Sequence, residues 1–451
     1  MKLFPILILL FALFILPIKA QQLYYPPLSG SQWDTVSLSS LGWNAGAVAP
    51  LYSLLDSSNS RAFIVLKGGK IALEKYFGTF TKDSLWYWAS AGKSMTSVLI
   101  GIAQQEGFLR ISDTSSKWLG KGWTSESPEQ EQKITVRHQL TMTSGLNDFV
   151  LDPDCTLPSC LLYKADAGTR WAYHNAPYTL LDSVIQKSTG LTLNQFYITK
   201  VRNKIGMNGG YFRSGSYNNV LVTTPRSMAR FGLLMLRRGV WESTALLTDT
   251  AYISAMLTQS QPYNQAYGYL WWLNNTSTYM MPGSQIVYPG RFAPSAPKDM
   301  FAALGKNGQF INIVPSLDLV FIRMGDAPDN SLVPALLDEQ IWQRLNAVIS
   351  PATHVKENRT GTYRTGYFLS QNFPNPFNPV TTISFFVPQQ SRVTIQVFNA
   401  IGQQVNELLS RDVDAGEHSV RWDASRFTGG VYFYRIRSGE FVETKKLLLM
   451  K

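Results

Sequence analysis

The chain has little of the two residues that build most metal sites and disulfide scaffolds. Its 451 residues include two cysteines and four histidines. Two cysteines are too few for a cysteine-rich zinc module or a disulfide-dense mini-protein. Four histidines, spread from position 138 to position 418, leave little material for a multi-histidine metal site. We therefore predict that the protein uses neither a metal ion nor another cofactor.

Charge of one sign is not concentrated anywhere along the chain. Lys and Arg number 41 against 30 Asp and Glu, a net charge of +11, without a basic cluster or an acidic tail. Nucleic-acid binding needs a concentrated basic stripe, so this pattern argues against it. Hydrophobic residues make up 45% of the chain and charged residues 16%. This balance is typical of a protein with a large folded core and excludes a disordered one.

A long hydrophobic run occurs only at the N-terminus. Residues 1–20 read MKLFPILILLFALFILPIKA, with one lysine before the apolar run and a small residue, Ala20, at its end. The run is short for a bilayer span and is typical of a secretory signal peptide. No cysteine follows that could carry a lipid anchor. We predict cleavage before Gln21 and no stable membrane span. An uncleaved anchor is the alternative, because Lys19 lies next to the cleavage point.

Export would place the two cysteines in an oxidising compartment. Cys155 and Cys160 are five residues apart in the turn-rich stretch DPDCTLPSC. Two thiols at this spacing can close a small ring there. Since no redox or metal motif surrounds them, we predict a disulfide. The alternative is a pair of free, inert thiols.

Two regions with different sequence patterns follow, at 21–350 and 367–451, joined by a linker at 351–366 that is polar and has no hydrophobic periodicity. The first predicts an α+β fold, in which strands from both ends of the region form one antiparallel sheet with flanking helices and a large helical insert. Its clearest predicted elements are a hairpin at Arg61–Gly78, helices at Ala91–Gly107, Pro225–Arg238 and Leu332–Val348, and strands at Met300–Leu304, Gln309–Val314 and Leu319–Arg323. The second region alternates short β-rich runs with turns, which predicts a small immunoglobulin-like β-sandwich.

A Ser-x-x-Lys pattern lies at the start of the first predicted helix. Ser90 and Lys93 are three residues apart and therefore share one helical face. A lysine in a desolvated pocket has a lowered pKa and can take the proton of the serine, and the helix N-terminus supplies N–H groups for an oxyanion. The pattern predicts a nucleophilic Ser90, with an ordinary N-cap serine as the alternative. The chain repeats the pattern at Ser295–Lys298, where Pro297 disfavours a helix behind the serine.

A Tyr-x-Asn pattern follows at Tyr173–Asn175, between a turn and an apolar helix start. A phenol near a lysine can act as an acid or a base, and Asn175 can hold a substrate amide or carbonyl. The pattern is weak by itself, since Tyr217–Asn219 repeats it. His174, between the two candidates, is most simply a structural or an exposed residue.

A Lys-x-Gly pattern, Lys306–Gly308, lies between two predicted strands. Gly308 would let a substrate approach a strand edge closely. The backbone N–H of Gln309 could then serve as the second oxyanion donor. The alternative is a plain Lys-Asn-Gly hairpin turn.

Together and in this order, the three patterns resemble the active-site motifs of the serine β-lactamase and penicillin-binding superfamily. The similarity runs from about Leu51 to Val348 and is nearest to the class C-like branch. That branch holds class C β-lactamases, D-alanyl-D-alanine carboxypeptidases, family VIII carboxylesterases and 6-aminohexanoate-dimer hydrolase. Further matching stretches are ITVRHQLTMTSGL, TTPRSMARFGLLMLRRGVW, YGYLWWL and GKNGQFINIVPSLDLVFIRMG.

The resemblance implies a role for each candidate residue. Ser90 would be the acylated nucleophile, and Lys93 and Tyr173 would transfer protons. Asn175 would contact the substrate. A strand through Lys306, Gly308 and Gln309 would form the opposite wall of the site. The third motif reads K-N-G instead of the K-T-G typical of β-lactamases, in a context more similar to the esterase and amide-hydrolase branch. We therefore expect a secreted serine hydrolase that cleaves a small-molecule or short-peptide ester or amide. The alternatives are a β-lactamase, a D-Ala-D-Ala carboxypeptidase or a non-catalytic receptor.

The C-terminal region resembles the type A sorting domains of the type IX secretion system. The stretches QNFPNPFNPVTTISFFV, FNAIGQQV and GVYFYRIRSGEFVETKKLLLMK carry the likeness, which covers nearly all of Tyr367–Lys451. It implies the secretion machinery as a partner, and transport through the periplasm of a Gram-negative-type bacterium to the cell surface or the medium. A carbohydrate- or protein-binding module with an adhesive role is the alternative.

Overall fold

The computed structural model describes residues 23–328, 333–350, 367–370, 372, 375 and 377–450. The predicted signal peptide at 1–20 and the predicted linker at 351–366 lie outside the described residues. The described residues fall into two compact units, one ending at residue 350 and one beginning at residue 367. The exact domain limits stay a prediction.

The first unit contains helices of 4 to 15 residues and strands of 2 to 8 residues. Its helices are α1 Val48–Ser57, α2 Gly92–Gln105, α3 Ser116–Leu119, α4 Pro128–Glu131, α5 Val136–Leu140, α6 Asn175–Thr179, α7 Leu181–Thr189, α8 Leu193–Lys200, α9 Pro225–Leu236, α10 Thr250–Met256 and α11 Ala335–Ile349. Its strands are β1 Ser60–Lys67, β2 Lys70–Tyr76, β3 Trp86–Tyr87, β4 Gly210–Ser214, β5 Asn218–Thr223, β6 Val240–Trp241, β7 Thr244–Ala245, β8 Trp272–Leu273, β9 Thr278–Tyr279, β10 Tyr288–Pro289, β11 Phe301–Gly305, β12 Gln309–Val314 and β13 Leu319–Gly325.

A six-stranded antiparallel sheet in the order β2-β1-β13-β12-β11-β8 forms the centre of this unit. Strands β1 and β2 come from the start of the unit, whereas the other four come from its second half. This confirms the predicted antiparallel sheet built from both ends of the region. Every residue of β11, β12 and β13 is buried, so these strands are mostly apolar and lack a regular polar alternation. Their buried polar side chains, Gln309, Asn312 and Arg323, are hydrogen-bonded.

Helices cover both faces of the sheet. Val320 of β13 faces α9, because a Cβ atom added to Gly232 would lie 2.5 Å from it. The next residue, Phe321, packs its ring against Trp342 of α11 with centroids 5.3 Å apart. Successive side chains of a strand point to opposite faces, so α9 and α11 lie on opposite sides of β13. The missing side chain at Gly232 lets α9 approach the sheet closely.

The helix that carries the Ser-x-x-Lys pattern is buried nearly all round. Residues Gly92 to Ala103 of α2 are all buried, and a Cβ atom on Gly101 would lie 2.5 Å from the ring of Tyr252. A 3₁₀ turn, Ala89–Ala91, precedes the helix and holds Ser90. Ala89 adopts a positive φ of 47°, a sparsely populated conformation for a residue with a side chain. Ser90, the candidate nucleophile, thus lies in a tight turn directly before the N-terminus of α2.

The second unit consists of strands in two antiparallel sheets. Its strands are β14 Phe368–Leu369, β15 Val380–Val387, β16 Ser391–Asn399, β17 Gln404–Val413, β18 Gly416–Asp423, β19 Gly430–Ser438 and β20 Phe441–Leu449. The sheets have the orders β14-β15-β18 and β17-β16-β19-β20. Ile383 and Trp422 of the first sheet join Ile395 and Tyr434 of the second in one hydrophobic cluster. The predicted β-strand content of this region is confirmed.

The structure contains the Cys155–Cys160 disulfide, with the two Cα atoms 5.9 Å apart. Two residues before the bridged loop, the Pro153 carbonyl accepts a hydrogen bond from the backbone N–H of Ala176. The closed loop is therefore attached to the segment that carries Tyr173. We expect alkylation of the denatured, unreduced protein to modify no cysteine, as measured by intact mass. Modification of two thiols without reductant would contradict the bond, and reduction before alkylation is the control.

Candidate active site

Ser90 and Lys93 meet at the N-terminus of α2. The Nζ atom of Lys93 lies 3.1 Å from Oγ of Ser90. The Lys93 side chain is buried and only 5% exposed, whereas Ser90 is half-buried. Burial lowers the pKa of the Lys93 ammonium to about 7, against the opposing influence of the Asp154 and Asp182 carboxylates. An amine with this pKa is partly unprotonated near neutral pH and can accept the serine proton.

Two tyrosine rings line the Lys93 side chain. Nζ lies 4.2 Å from the ring centroid of Tyr178 and 5.3 Å from that of Tyr173. The Tyr178 hydroxyl in turn lies 3.3 Å from Oγ1 of Thr96. These rings displace water from the amine, which is the physical cause of its lowered pKa. Tyr178 was missed in the sequence, where it reads as one more apolar position of a short helix.

Asp182, a half-buried carboxylate whose charge acts on Lys93, was not singled out in the sequence. Burial raises the pKa of Asp182 to about 7, while the Asn219 amide that donates to it and the charge of Lys93 oppose the rise. Nδ2 of Asn219 lies 2.8 Å from Oδ2 of Asp182, and Asn218 accepts a hydrogen bond from Thr179 at 2.7 Å. The two asparagines of the second Tyr-x-Asn pattern, at the start of β5, thus form hydrogen bonds with Asp182 and Thr179.

Tyr173 lies beside Ser90 and Lys93 within an aromatic cluster. Its ring stacks on Trp272 and meets Tyr267 edge-on, with centroids 6.2 Å apart in each case. Burial raises the pKa of the Tyr173 phenol, and a hydrogen bond from the Ser90 hydroxyl opposes that rise. The structure therefore brings the predicted nucleophile, Ser90, together with both predicted proton-transfer residues, and Tyr173 is protonated at neutral pH.

The other two residues of the Tyr-x-Asn pattern begin helix α6. His174, at the N-cap position, is 2% exposed, and burial lowers its pKa to about 4. It is therefore a neutral, buried residue, which agrees with the structural alternative and not with the exposed one. Asn175 is half-buried, and among the described residues its Oδ1 atom has no hydrogen-bond partner. The atom itself is buried, so a substrate N–H could reach it only after the amide turns toward the site.

The prediction of a strand through Lys306–Gly308 is wrong, because these residues form a 3₁₀ turn between β11 and β12. Asn307 has a φ of 64°, a left-handed conformation that Asn adopts more readily than β-branched Thr. The Lys306 side chain is exposed. The Gln309 amide is committed to the backbone of Gly325, donating to its carbonyl at 2.6 Å and accepting from its N–H at 3.1 Å.

The last residue of β11 forms the wall nearest to Ser90. A Cβ atom on Gly305 would lie 2.5 Å from the Trp88 carbonyl, 2.9 Å from the Ala91 nitrogen and 3.2 Å from the Ser90 nitrogen. Only glycine permits this approach of two backbone segments. The predicted wall began one residue too late, at Lys306, because the Lys-x-Gly pattern does not include the Gly305 that precedes it.

The second Ser-x-x-Lys copy lies elsewhere and has a structural role. Ser295 contacts the carboxylate of Glu339, with Oγ donating at 2.5 Å and the backbone N–H at 2.9 Å. Within the described ranges, no cluster of His, Cys, Asp or Glu could hold a metal ion. No helix in the described part of the chain is long and apolar enough to span a bilayer.

Comparison with family models assigns both units of the chain. Residues 58–342 match the beta-lactamase family. The chain belongs to the beta-lactamase family. Members of this family and of the related penicillin-binding proteins are serine hydrolases, and the chain carries their fold. Residues 371–450 match the secretion system C-terminal sorting domain. This domain directs the protein through the type IX secretion machinery to the cell surface or the extracellular medium, as the sequence resemblance predicted.

Solved structures show the same fold for the first unit. A protein of Bacillus anthracis described as a 6-aminohexanoate-dimer hydrolase superposes with a TM-score of 0.55 at 17% identity, covering 72% of this chain and 89% of that one. A penicillin-binding protein homologue of Caulobacter crescentus superposes with a TM-score of 0.52 at 14% identity, covering 67% and 97%. At these identities the likeness shows the fold alone.

One curated relative is similar in sequence. Penicillin-binding protein 4* of Bacillus subtilis is 26% identical over 169 residues, which cover 32% of this chain and 36% of that protein. The match thus spans about a third of the relative's length, and the relative's activity does not carry over to this chain by similarity alone.

Proposed function

We propose that the protein is an extracellular serine hydrolase that cleaves an ester or a linear amide through an acyl-enzyme on Ser90. The observation that carries the proposal is the 3.1 Å contact between Ser90 Oγ and the buried amine of Lys93. A serine hydroxyl is a weak nucleophile unless a neighbouring base removes its proton. The lowered pKa of Lys93, at about 7, supplies such a base at neutral pH.

The reaction would proceed in two halves. Unprotonated Lys93 takes the proton of Ser90 as Oγ attacks the substrate carbonyl carbon, and Tyr173 passes a proton to the leaving oxygen or nitrogen as its bond to that carbon breaks. Water then attacks the acyl carbon and gives one proton to the Tyr173 phenolate. The bond from that carbon to Oγ breaks, Ser90 takes back the proton held by Lys93, and the acid is released. Asn175, whose Oδ1 atom is buried without a partner among the described residues, would turn its amide toward the substrate and hold a substrate N–H during both halves.

The developing oxyanion needs donors on the side of β11. The Ser90 nitrogen lies against Gly305, so we take the next backbone N–H along the chain, that of Lys306, as the second donor. We assign the oxyanion hole to the N–H groups of Ser90 and Lys306, in place of the Gln309 N–H suggested by the sequence. Donors fixed in this way need no reorganisation during the reaction, which is the source of their large effect.

Apolar side chains near the site favour apolar esters as substrates. The loop attached to the Tyr173 segment exposes large hydrophobic residues at Phe149, Leu151 and Leu157, with exposed fractions of 64%, 108% and 53%. A second loop, joined to this segment by a bond from the Gln285 amide to the Trp171 carbonyl, exposes Ile286 and Val287. Exposed apolar groups that form a patch mark binding surfaces, and we propose that these two loops, both hydrogen-bonded to the Tyr173 segment, contact the apolar part of the substrate.

We expect aryl esters of short or medium acyl chains to be hydrolysed faster than β-lactams. The third motif is a tight turn with a left-handed Asn307, and one neighbour is described as a 6-aminohexanoate-dimer hydrolase, an enzyme whose named substrate is not a β-lactam. The test measures kcat/KM for a panel of aryl esters, linear amides, D-Ala-D-Ala peptides and a chromogenic cephalosporin. Fast cephalosporin turnover without ester hydrolysis would reverse this ordering and identify a β-lactamase.

We further propose that the second unit, with its immunoglobulin-like pair of sheets, acts as an export address and takes no part in catalysis. Deletion of residues 367–451 should leave ester hydrolysis unchanged while the protein stays inside the cell envelope. Activity in the culture medium and in the cell fraction, compared with the full chain, measures both effects. A truncated protein that is folded but inactive, or that still reaches the medium, would refute the separation of roles.

A further inference from the structure

A hydrogen bond joins the turn after β11 to the segment that leads into Ser90. The side-chain amide of Asn307 donates through Nδ2 to the hydroxyl of Tyr87, with the atoms 2.6 Å apart. Tyr87 belongs to β3, three residues before Ser90, and β3 is itself paired with β5. Asn307 follows Gly305, the residue that lies against the Ser90 nitrogen. The bond therefore links the two backbone segments on either side of the oxyanion hole.

The turn is also held from behind by a buried arginine. Nη1 of Arg323 donates to the carbonyl oxygens of Asn307 and Gly308 at 2.9 Å and 2.8 Å. Its other nitrogens donate to the Ser58 carbonyl at 2.6 Å and to Ser60 Oγ at 2.8 Å, so the guanidinium is fixed to β1 and its preceding residues. A side chain at Gly308 would collide with Nη1, since its Cβ would lie 2.4 Å away. The back of the turn is thus rigid.

Arg323 fixes the carbonyl groups of the turn. The position of the Asn307 side chain then depends on its hydrogen bond to Tyr87. Asn307 combines two properties that this place requires, because it tolerates a positive φ and carries an N–H donor. Alanine or threonine would lack the donor or strain the backbone. Both Asn307 and Tyr87 are half-buried, so the bond lies at the edge of the site and not in the core.

We propose that Tyr87 and Asn307 are positioning residues that hold the Gly305–Lys306 backbone at the correct distance from Ser90 for the proposed reaction. The inference rests on the proposed function, since it concerns the oxyanion hole of that reaction. Neither side chain touches the reacting atoms. A small displacement of the strand would misalign one oxyanion donor, and misplacement of about 1 Å in an active site can cost on the order of 10²-fold in rate.

Three variants and one double variant separate positioning from general stability. Tyr87→Phe removes the hydroxyl alone, and Asn307→Gly removes the amide while keeping the left-handed turn free of strain. Asn307→Asp is the matched control, because its carboxylate can accept the Tyr87 hydroxyl proton and restore the bond. The readouts are the rate constant for labelling Ser90 with a fluorophosphonate, the kcat and KM for an aryl ester, and the melting temperature.

We expect Tyr87→Phe and Asn307→Gly each to lower the labelling rate and kcat by roughly 10-fold, within the range of such misplacements, with KM nearly unchanged. The double variant should be no worse than either single variant, because both changes remove the same bond. Asn307→Asp should recover most of the loss, and the melting temperature should stay close to that of the wild type.

The outcomes distinguish failure of the proposal from failure of the proposed function. A wild-type protein that is labelled at Ser90 at the same rate as all the variants would overturn the positioning role alone. Additive losses, or an Asn307→Asp variant as slow as Asn307→Gly, would overturn it as well. A wild-type protein that is not labelled at Ser90 would overturn the proposed function, and the positioning role with it.

Discussion

Replacement of Ser90 by alanine should lower kcat/KM for the best ester substrate by on the order of 10⁴ or more, the scale seen when an attacking serine is removed. Ser90 carries the hydroxyl that Lys93 Nζ contacts, at 3.1 Å. The fold should persist, because Ser90 is half-buried and alanine fits a turn already flanked by Ala89 and Ala91. Steady-state ester hydrolysis and thermal unfolding measure the two expectations.

Ser295→Ala is the matched control for this variant. It removes a serine from the other Ser-x-x-Lys pattern, where the hydroxyl contacts Glu339, and should leave kcat/KM within about twofold of the wild type, as for a change remote from the chemistry. A Ser90→Ala variant that is folded and fully active would show that the acyl-enzyme on Ser90 does not exist.

Replacement of Lys93 by methionine should lower kcat by on the order of 10²–10⁴, the usual contribution of a positioned acid or base. Methionine keeps the volume and the apolar contacts with Tyr178 but cannot accept the Ser90 proton. The wild-type kcat/KM should rise with pH through about 7, the pKa of Lys93, because the unprotonated amine is the active form. The variant should lose this step, which pH–rate profiles of both proteins measure.

The lowered pKa of Lys93 also predicts how the free energy of unfolding depends on pH. In the folded protein the pKa of Lys93 is lowered from 10.5 to about 7, so between these values the unfolded chain binds a proton that the folded chain does not. The stability of the wild type relative to Lys93→Met should therefore rise with pH across that window. Urea unfolding of both proteins at several pH values measures it. A constant difference, or a pH–rate profile without a step, would contradict a buried, unprotonated amine.

Tyr173→Phe extends the test to the second half of the proton path. It should lower kcat over a similar range, and the Lys93→Met and Tyr173→Phe double variant should be far from additive because the two groups serve one proton path.

The fold was predictable because its main elements have strong local signals. The hairpin around Gly68 and Gly69, helix α2 and strands β11 to β13 have clear patterns in the sequence, and the structure contains them. Helix α2, predicted to be amphipathic, is buried on nearly all sides. The helix predicted from Leu332 begins at Ala335, because Pro334 lacks the N–H that an interior helical position needs. The relation between the sheets of the second unit depends on non-local packing, which periodicity does not report.

The site was predictable where one helical turn fixes the geometry and less so where tertiary contacts do. Ser90 and Lys93 meet because residues three apart on a helix are neighbours. Tyr178 and Asp182 shape the pocket of Lys93 from another helical segment, and their spacing relative to Lys93 carries no local signal. The strand predicted at Lys306–Gly308 failed because Asn307 and Gly308, both at positive φ, make a turn. Gly305 could be recognised only from its contact with the Ser90 turn.

The most direct test of the central claim is to locate the covalent adduct. The full-length protein is incubated with a fluorophosphonate, digested and analysed by peptide mass spectrometry, with Ser90→Ala treated in parallel. We expect one modified peptide, with the added mass on Ser90, and no modified peptide in the variant. An adduct on another serine that persists in Ser90→Ala would contradict the assignment of the nucleophile.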